Sequence, residues 1–321
     1  MKQPEQISDQ AAAFPCPSAK LRGILLPFVT PFEASGDVDD KGLRENIRKW
    51  NATGILGYVV LGSTGERVNL DEREYLSVIE AARKEVSDGL TLIVGAGQQS
   101  TRGTINEIRR VASSVPVDAF LVITPYFYKP SITQQALVAH YQSVADESPA
   151  PVILCSMPAL TGIKIEPETA ARLSEHENII GIKDSSADIA ALAKTIKLVS
   201  KDFAVLTGNG TVLCEALTAG AIGGILAVGC VAPTLCIAIF RAVISGDIET
   251  ATRLQSSLSP LAQAVTTHFG IGGLKAALDL QGYIGGTVRA PLRAPTSEAR
   301  GEIQRCLEMA ESALQTLSTA V

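Results

Sequence analysis

Lys183 closes an apolar run, Asn178-Ile179-Ile180-Gly181-Ile182, and is followed by Asp184-Ser185-Ser186. A lysine at the end of such a run keeps its stem in the protein interior and its head at the boundary with solvent. Desolvation there disfavours the ammonium and lowers its pKa. A neutral amine attacks a ketone to form a Schiff base, which turns a carbonyl compound into an electron sink. Two plainer readings stand beside this one: a solvated lysine at a strand end, or one paired with Asp184. The run Gly62-Ser63-Thr64-Gly65-Glu66 offers two hydroxyls and several backbone N–H groups among small residues, which suits a carboxylate or a phosphate. Ordinary turn chemistry is its alternative, with Glu66 as a structural anchor. Asn209, between Gly208 and Gly210, could frame a phosphate in the same way, although such a run is more often a turn. His140, His176 and His268 are scattered over predicted helices without converging carboxylates, so no metal site is expected.

The elements that must hold these residues follow from short apolar runs alternating with amphipathic stretches, as parallel strands covered on both faces should. The runs are Gly23 to Val29, Ile55 to Leu61, Leu90 to Gly95, Val117 to Thr124, Pro151 to Cys155, Ile179 to Lys183, Phe203 to Thr207 and Ala221 to Val228. Helical spacing and start signals mark Asp39 to Trp50, Asp71 to Val86, Thr101 to Ser113, Thr133 to Asp146, Pro167 to Ser174, Ser186 to Ser200, Thr211 to Thr218 and Thr234 to Val243. Eight strand–helix units predict an α/β fold, a (β/α)8 TIM barrel over residues 21–245. Residues 1–20 read as a flexible N-terminal arm. Residues 246–321 read as a C-terminal helical extension, with helices at Asp247 to Thr267, Ile271 to Leu280 and Ser297 to Ser318. A doubly wound sheet would want a glycine-rich turn after the first strand, where the chain has Pro27 and Pro31. In a barrel the chemistry sits at the C-terminal ends of the strands. The Gly62 and Lys183 motifs fall there, with Thr124 to Pro130, Cys155 to Pro158 and Gly208 to Gly210.

Composition narrows the partners. The 321 residues are 46% hydrophobic and 19% charged, enough for a large buried core. A net charge of -5 without a basic cluster leaves no footprint for nucleic acid or an anionic membrane. The mean hydropathy of +0.22 is high, and no charge occurs between Glu215 and Arg241. Glycine pairs and Pro233 break that stretch, which reads as the eighth strand, a loop from Gly229 to Pro233 and a helix rather than a membrane span. The six cysteines lack metal-ligand spacing, and most are expected to be reduced core residues in a cytoplasmic protein.

Taken in order, Gly62-Ser63-Thr64-Gly65-Glu66, Thr124-Pro125-Tyr126, Pro158 with Thr161-Gly162, and Gly181-Ile182-Lys183-Asp184 resemble the dihydrodipicolinate synthase/N-acetylneuraminate lyase family of class I aldolases over roughly residues 20 to 315. Phe269-Gly270-Ile271, Gly273-Leu274-Lys275, Gly282-Tyr283 and Arg289-Ala290-Pro291-Leu292 are similar to its 4-hydroxy-2-oxoglutarate aldolase branch. The resemblance implies that Lys183 captures pyruvate or another 2-oxo acid, that Ser63 and Thr64 hold its carboxylate, and that the enamine so formed adds to an aldehyde or arises from the reverse cleavage. It implies no metal or other cofactor, and a homotetramer in which a neighbouring subunit's tyrosine enters the site after strand four. The region of Gly208 would close over the substrate.

Three positions depart from that pattern. The strand-five tyrosine that relays protons falls on Cys155, whose thiol is shorter and a weak donor. The partner tyrosine falls on Phe127, flanked by Tyr126 and Tyr128. An arginine that grips a second carboxylate falls in the Ala159-Leu160 neighbourhood, and Leu160 offers no charge. Tyr126, Tyr128, Ser156 or water would then replace the relay, and a neutral or apolar acceptor is expected. Two functions fit: a carbon–carbon lyase acting on a 4-hydroxy-2-oxo acid, or a 2-oxo-acid-binding barrel that has lost turnover.

Overall fold

A computed structural model describes residues 20–318 and the side chains of residues 20–315. The expected N-terminal arm, with Cys16, lies almost wholly outside the described residues. Eight parallel strands close into a barrel in sequence order, β1 Ile24–Leu26, β2 Gly57–Val60, β3 Thr91–Ala96, β4 Ala119–Ile123, β5 Val152–Ser156, β6 Ile179–Asp184, β7 Ala204–Thr207 and β8 Gly223–Ile225. β1 pairs with β8 to complete the closure.

Each strand alternates between two cores, because successive side chains leave a strand on opposite faces. Leu25, Val59, Ile93, Leu121, Ile153 and Leu206 fill the barrel interior. Their neighbours, such as Tyr58, Phe120 and Leu154, face the surrounding helices. β6 interrupts this alternation. Val152 is in register with Ile179 but Ile153 with Gly181, so β6 carries one extra residue there. Ile180 faces the barrel interior while Ile182 faces the helix layer. Strict alternation from Ile180 would send Lys183 outward; the bulge turns it inward, in register with Cys155 on one side and Leu206 on the other.

The helices begin where short polar side chains can satisfy their free amides. Asp39 caps α1 (Asp40–Trp50), Asp71 and Glu74 form a capping box on α2 (Glu72–Glu85), Ser100 caps α3 (Thr101–Ser114) and Thr133 caps α4 (Gln134–Glu147). α5, a single turn at Pro158–Thr161, was not expected. The circuit continues with α6 (Pro167–Leu173), α7 (Ile189–Leu198), α8 (Leu213–Thr218) and α9 (Pro233–Ile244). The strand expected from Ala221 to Val228 is shorter, since Ala227–Cys230 is already a 3-10 turn, part of which had read as loop.

Beyond the barrel lie α10 (Ile248–Gln263), α11 (Gly270–Leu280) and α12 (Ser297–Ser318). The helix expected to run to Thr267 ends earlier. Pro260 lies inside α10, and the turn Ala264–His268 widens to π geometry, closing with a bond from the Phe269 amide to the Ala264 carbonyl. The added width redirects the chain into α11. Cys155, Cys214, Cys230 and Cys236 are buried and free, and Cys306 is half-buried. Among the described residues no helix is long and apolar enough to cross a membrane. His176 lies in the turn before β6 rather than on a helix.

His140 packs between α3 and α4, its Nδ1 2.9 Å from the Thr101 hydroxyl, and burial pushes its pKa down to about 4. The unfolded chain therefore binds more protons than the folded one between that value and the ordinary histidine pKa of about 6.5. Stability is expected to be fully present above pH 6.5 and to fall by roughly 1.4 kcal/mol per pH unit as the pH drops toward 4. Denaturant titrations of the protein and of His140→Gln across this range check it: the variant should lose less stability over the window, and parallel curves would contradict the assignment.

Candidate active site

A cavity of about 650 Å³ opens at the C-terminal ends of the strands. Lys183 and Cys155 line it from β6 and β5, Ser63 from the turn after β2, Tyr126 from the loop after β4, and Leu160 and Thr161 from α5. Lys183 is only 4% exposed. Its Asp184 neighbour does not pair with it: Asp184 Oδ1 accepts the Ser186 amide at 2.7 Å, and its carbonyl accepts the Gly208 amide at 2.6 Å. The arrangement presents a primary amine, on an otherwise apolar inner wall, to a space large enough for a small organic substrate.

Gly208 leaves room for that amine. A Cβ added there would stand 2.4 Å from Lys183 Cε and 2.1 Å from Ser185 Oγ, so the lysine stem and the hydroxyl converge on the glycine. Ser185 Oγ is buried and makes no hydrogen bond among the described residues. The sequence contained this serine in plain view beside Lys183. The missing information was spatial, the approach of Gly208 from the next strand.

The Gly62–Glu66 turn is tightly specified. The Gly65 amide reaches the Gly62 carbonyl at 3.1 Å and the Glu66 amide the Ser63 carbonyl at 3.1 Å, while the Thr30 hydroxyl donates to the Gly65 carbonyl at 2.7 Å. Ser63 Oγ faces Met157 Sδ at 3.3 Å at the cavity edge, whereas Thr64 is buried behind it and does not line the cavity. Glu66 is an anchor: it is 2% exposed and ion-paired with Lys275 at 2.6 Å.

Tyr126 and Tyr128 part company. The Tyr126 and Phe127 amides both donate to Gln99 Oε1, at 2.9 and 2.8 Å, which fixes the loop after β4 with the Tyr126 side chain at the cavity. Tyr128 is 67% exposed, lies edge-to-face with the exposed Phe127, and does not line the cavity. Ser156 follows Cys155 on β5 and is fully buried, accepting the Ile165 amide at 3.3 Å, away from the lysine. The Cys155 thiol is pushed up by burial, with Asp184 adding to the rise and Lys183 opposing it. It is a neutral thiol near pH 7. Asn209, weighed for phosphate, spends its side chain on the Thr211 amide and hydroxyl.

A second, polar pole of the cavity was not anticipated. Arg67 pairs with Glu107, which also accepts the Gly97 amide and Gln98 Nε2, and Arg110 pairs with Glu72 at 2.9 Å. Each arginine is thus matched by a carboxylate. Among the described residues, no group of three or more His, Cys, Asp or Glu side chains stands close enough to hold a metal ion.

The model of the dihydrodipicolinate synthetase family matches residues 20–310. The chain belongs to this family. It is 34% identical over 290 residues to the 4-hydroxy-tetrahydrodipicolinate synthase of Methanopyrus kandleri, covering 90% of this chain and 94% of that one. It is also 34% identical over 286 residues to the synthase of the same name from Nitrobacter hamburgensis, covering 89% and 95%. Among solved structures, a chloride-inhibited dihydrodipicolinate synthase from Acinetobacter baumannii complexed with pyruvate superposes with a TM-score of 0.85 at 30% identity, covering 90% of this chain and 99% of that one. Membership makes the chain an enzyme of the carbon–carbon lyase class, of the class I aldolase type. The family carries its reaction through a Schiff base, the chemistry to which an amine at the end of β6 is suited.

Proposed function

We propose that Lys183 condenses with pyruvate or another 2-oxo acid and that the chain forms or cleaves a 4-hydroxy-2-oxo acid, as in the 4-hydroxy-2-oxoglutarate aldolase branch, with an aldehyde whose far end is neutral or apolar. The observation that carries the reading is the inward, buried Lys183 amine facing a cavity edged by the Ser63 hydroxyl. The pyruvate held by the Acinetobacter baumannii structure supports the choice of 2-oxo acid. In the condensation the amine attacks the C2 carbonyl and water leaves, giving the imine. Loss of a C3 proton gives the enamine, whose C3 attacks the aldehyde carbon, and hydrolysis then frees the product and the lysine. The Ser63 hydroxyl at the cavity edge, with the amides of its turn, would receive the carboxylate, and Thr64 would support the turn from behind.

The neutral acceptor follows from charge. Among the described residues the cations lining the cavity are Lys183, Arg67 and Arg110, and both arginines are already paired with carboxylates. Leu160 adds an apolar, 63% exposed wall. The relatives' names favour a second reading, a synthase whose aldehyde bears another carboxylate. Measuring turnover of 4-hydroxy-2-oxo acids with alkyl, aryl and carboxylate ends separates them. Preference for the alkyl or aryl members is expected, and a preference for the carboxylate members would favour the synthase.

The proton path must do without a phenol at Cys155. We assign Ser185, beside the lysine stem, and Tyr126, at the rim, as the groups that replace it. Phe127 and Tyr128, exposed on a single chain, would serve at a contact between subunits of a homotetramer. Replacing Cys155 by tyrosine puts a phenol on the strand position next to Lys183, and the cavity in front of it can accept the ring. Turnover of a simple 4-hydroxy-2-oxo acid is expected to rise by about tenfold, less than the roughly 10²–10⁴-fold of a fully positioned proton donor because Ser185 and Tyr126 already carry part of the path. An unchanged or lower rate in steady-state assays would mean that a phenol at this strand position does not join the proton path.

A further inference from the structure

We infer that Lys275, on α11, is a positioning residue for the Gly62–Glu66 turn: through its buried ion pair with Glu66 it holds Ser63 in the geometry that receives the 2-oxo acid's carboxylate. The inference rests on the function proposed above and adds to it a residue from the C-terminal extension, which does not itself line the cavity.

The turn is bounded by two non-glycine residues in the left-handed region, Leu61 with φ 55 and Glu66 with φ 54. Such backbone persists only where its surroundings over-determine it. At the Glu66 end the restraint comes from remote sequence. One carboxylate oxygen receives Lys275 Nζ at 2.6 Å; the other receives Asn69 Nδ2 at 3.1 Å and the Arg289 amide at 3.2 Å. Lys275 is itself fixed, 2% exposed, donating to the Thr287 carbonyl at 2.5 Å and standing 4.4 Å from the centre of the Phe32 ring. Phe32 and Thr287 are bridged to each other, so the lysine ties the β1 exit, the turn after β2 and the 282–295 loop into one unit. Burial pushes its amine down in pKa, against the opposing pull of Glu66.

A buried ion pair contributes little net stability relative to well-packed apolar residues, while losing one member leaves an uncompensated charge. Its value here is geometric. Ser63 is three residues from Glu66, and the Ser63 carbonyl holds the Glu66 amide, so a shift of the glutamate moves the hydroxyl that meets the substrate.

The test is the pyruvate concentration giving half-maximal borohydride trapping on Lys183, followed by intact mass, alongside KM and kcat. Lys275→Met strands a buried glutamate and risks the fold, so the paired variant Glu66→Gln with Lys275→Met, which removes both charges, is measured with it. Half-maximal trapping and KM are expected at about tenfold more pyruvate, the loss of one well-placed hydrogen bond to a carboxylate. Trapping at saturation and kcat should stay within about threefold of wild type, a split that general loosening of the barrel would not give. Should the paired variant not fold, Glu66→Gln alone is expected to shift both by about threefold, since it weakens the ion pair while keeping its shape. A wild-type adduct with unshifted variants would overturn the inference alone. No wild-type adduct would overturn the proposed function and this inference with it.

Discussion

Replacing Lys183 by methionine is expected to abolish covalent capture of pyruvate and to lower turnover by at least about 10⁴-fold, the scale of loss when an enzyme forfeits the nucleophile of its covalent intermediate. Methionine keeps most of the buried stem, so melting should change little; Lys183 is only 4% exposed and lines the cavity from the barrel mouth. No other described lysine can substitute. Lys275, the other buried lysine, is held by Glu66 and the Thr287 carbonyl away from the cavity. Chemical rescue gives the sharper check. Lys183→Cys treated with a haloethylamine, which rebuilds an amine of nearly the same reach, should recover part of the activity. Equal activity in Lys183→Met and wild type, measured on a 4-hydroxy-2-oxo acid, would contradict the assignment.

Gly208→Ala is expected to lower turnover by about 10²-fold, because a misplacement of the order of 1 Å at a reacting group costs that much. The added methyl would stand 2.4 Å from Lys183 Cε and 2.1 Å from Ser185 Oγ. A serine hydroxyl can rotate away, but the lysine stem is enclosed and its head must shift. Gly208→Ala combined with Ser185→Ala should not restore the rate, since it leaves the clash with the lysine stem and also removes a group assigned to the proton path. Steady-state kinetics of the single and paired variants check this, and a Gly208→Ala enzyme within threefold of wild type would mean that the lysine does not depend on this glycine.

The sequence was most informative where one residue type answers one requirement. Apolar runs of strand length, alternating with helices that start at Asp39, Asp71 and Thr133, were enough for a barrel because parallel strands are buried on both faces. Lys183 was visible because a lysine ending an apolar strand needs an explanation. Its orientation was not. Period-2 counting from Ile180 points it the wrong way, and the extra residue in β6 that corrects this is marked only by Gly181. The Gly62–Glu66 turn was legible as a cradle, yet the division of labour within it was not: Ser63 reaches the cavity, Thr64 does not, and Glu66 looks inward to a lysine more than two hundred residues away. Ser185 and Gly208 meet only because β6 and β7 are neighbours. The polar pole is illegible for the same reason, since Arg67–Glu107 and Arg110–Glu72 join residues that only the closed barrel brings together.

These features describe one machine: a bulge that turns a lysine inward, a glycine that leaves space beside it, and a turn clamped from the C-terminal extension that can meet a carboxylate. The cavity's two arginines are each neutralised by a carboxylate, leaving the Lys183 amine as the reactive group on its inner wall. The most direct test is borohydride reduction of the full-length protein with pyruvate, read by intact and peptide mass spectrometry. One reduced pyruvyl adduct per chain is expected, on the peptide containing Lys183, absent without pyruvate and absent in Lys183→Met. An unmodified Lys183 across a panel of 2-oxo acids, or an adduct on a different lysine, would contradict it.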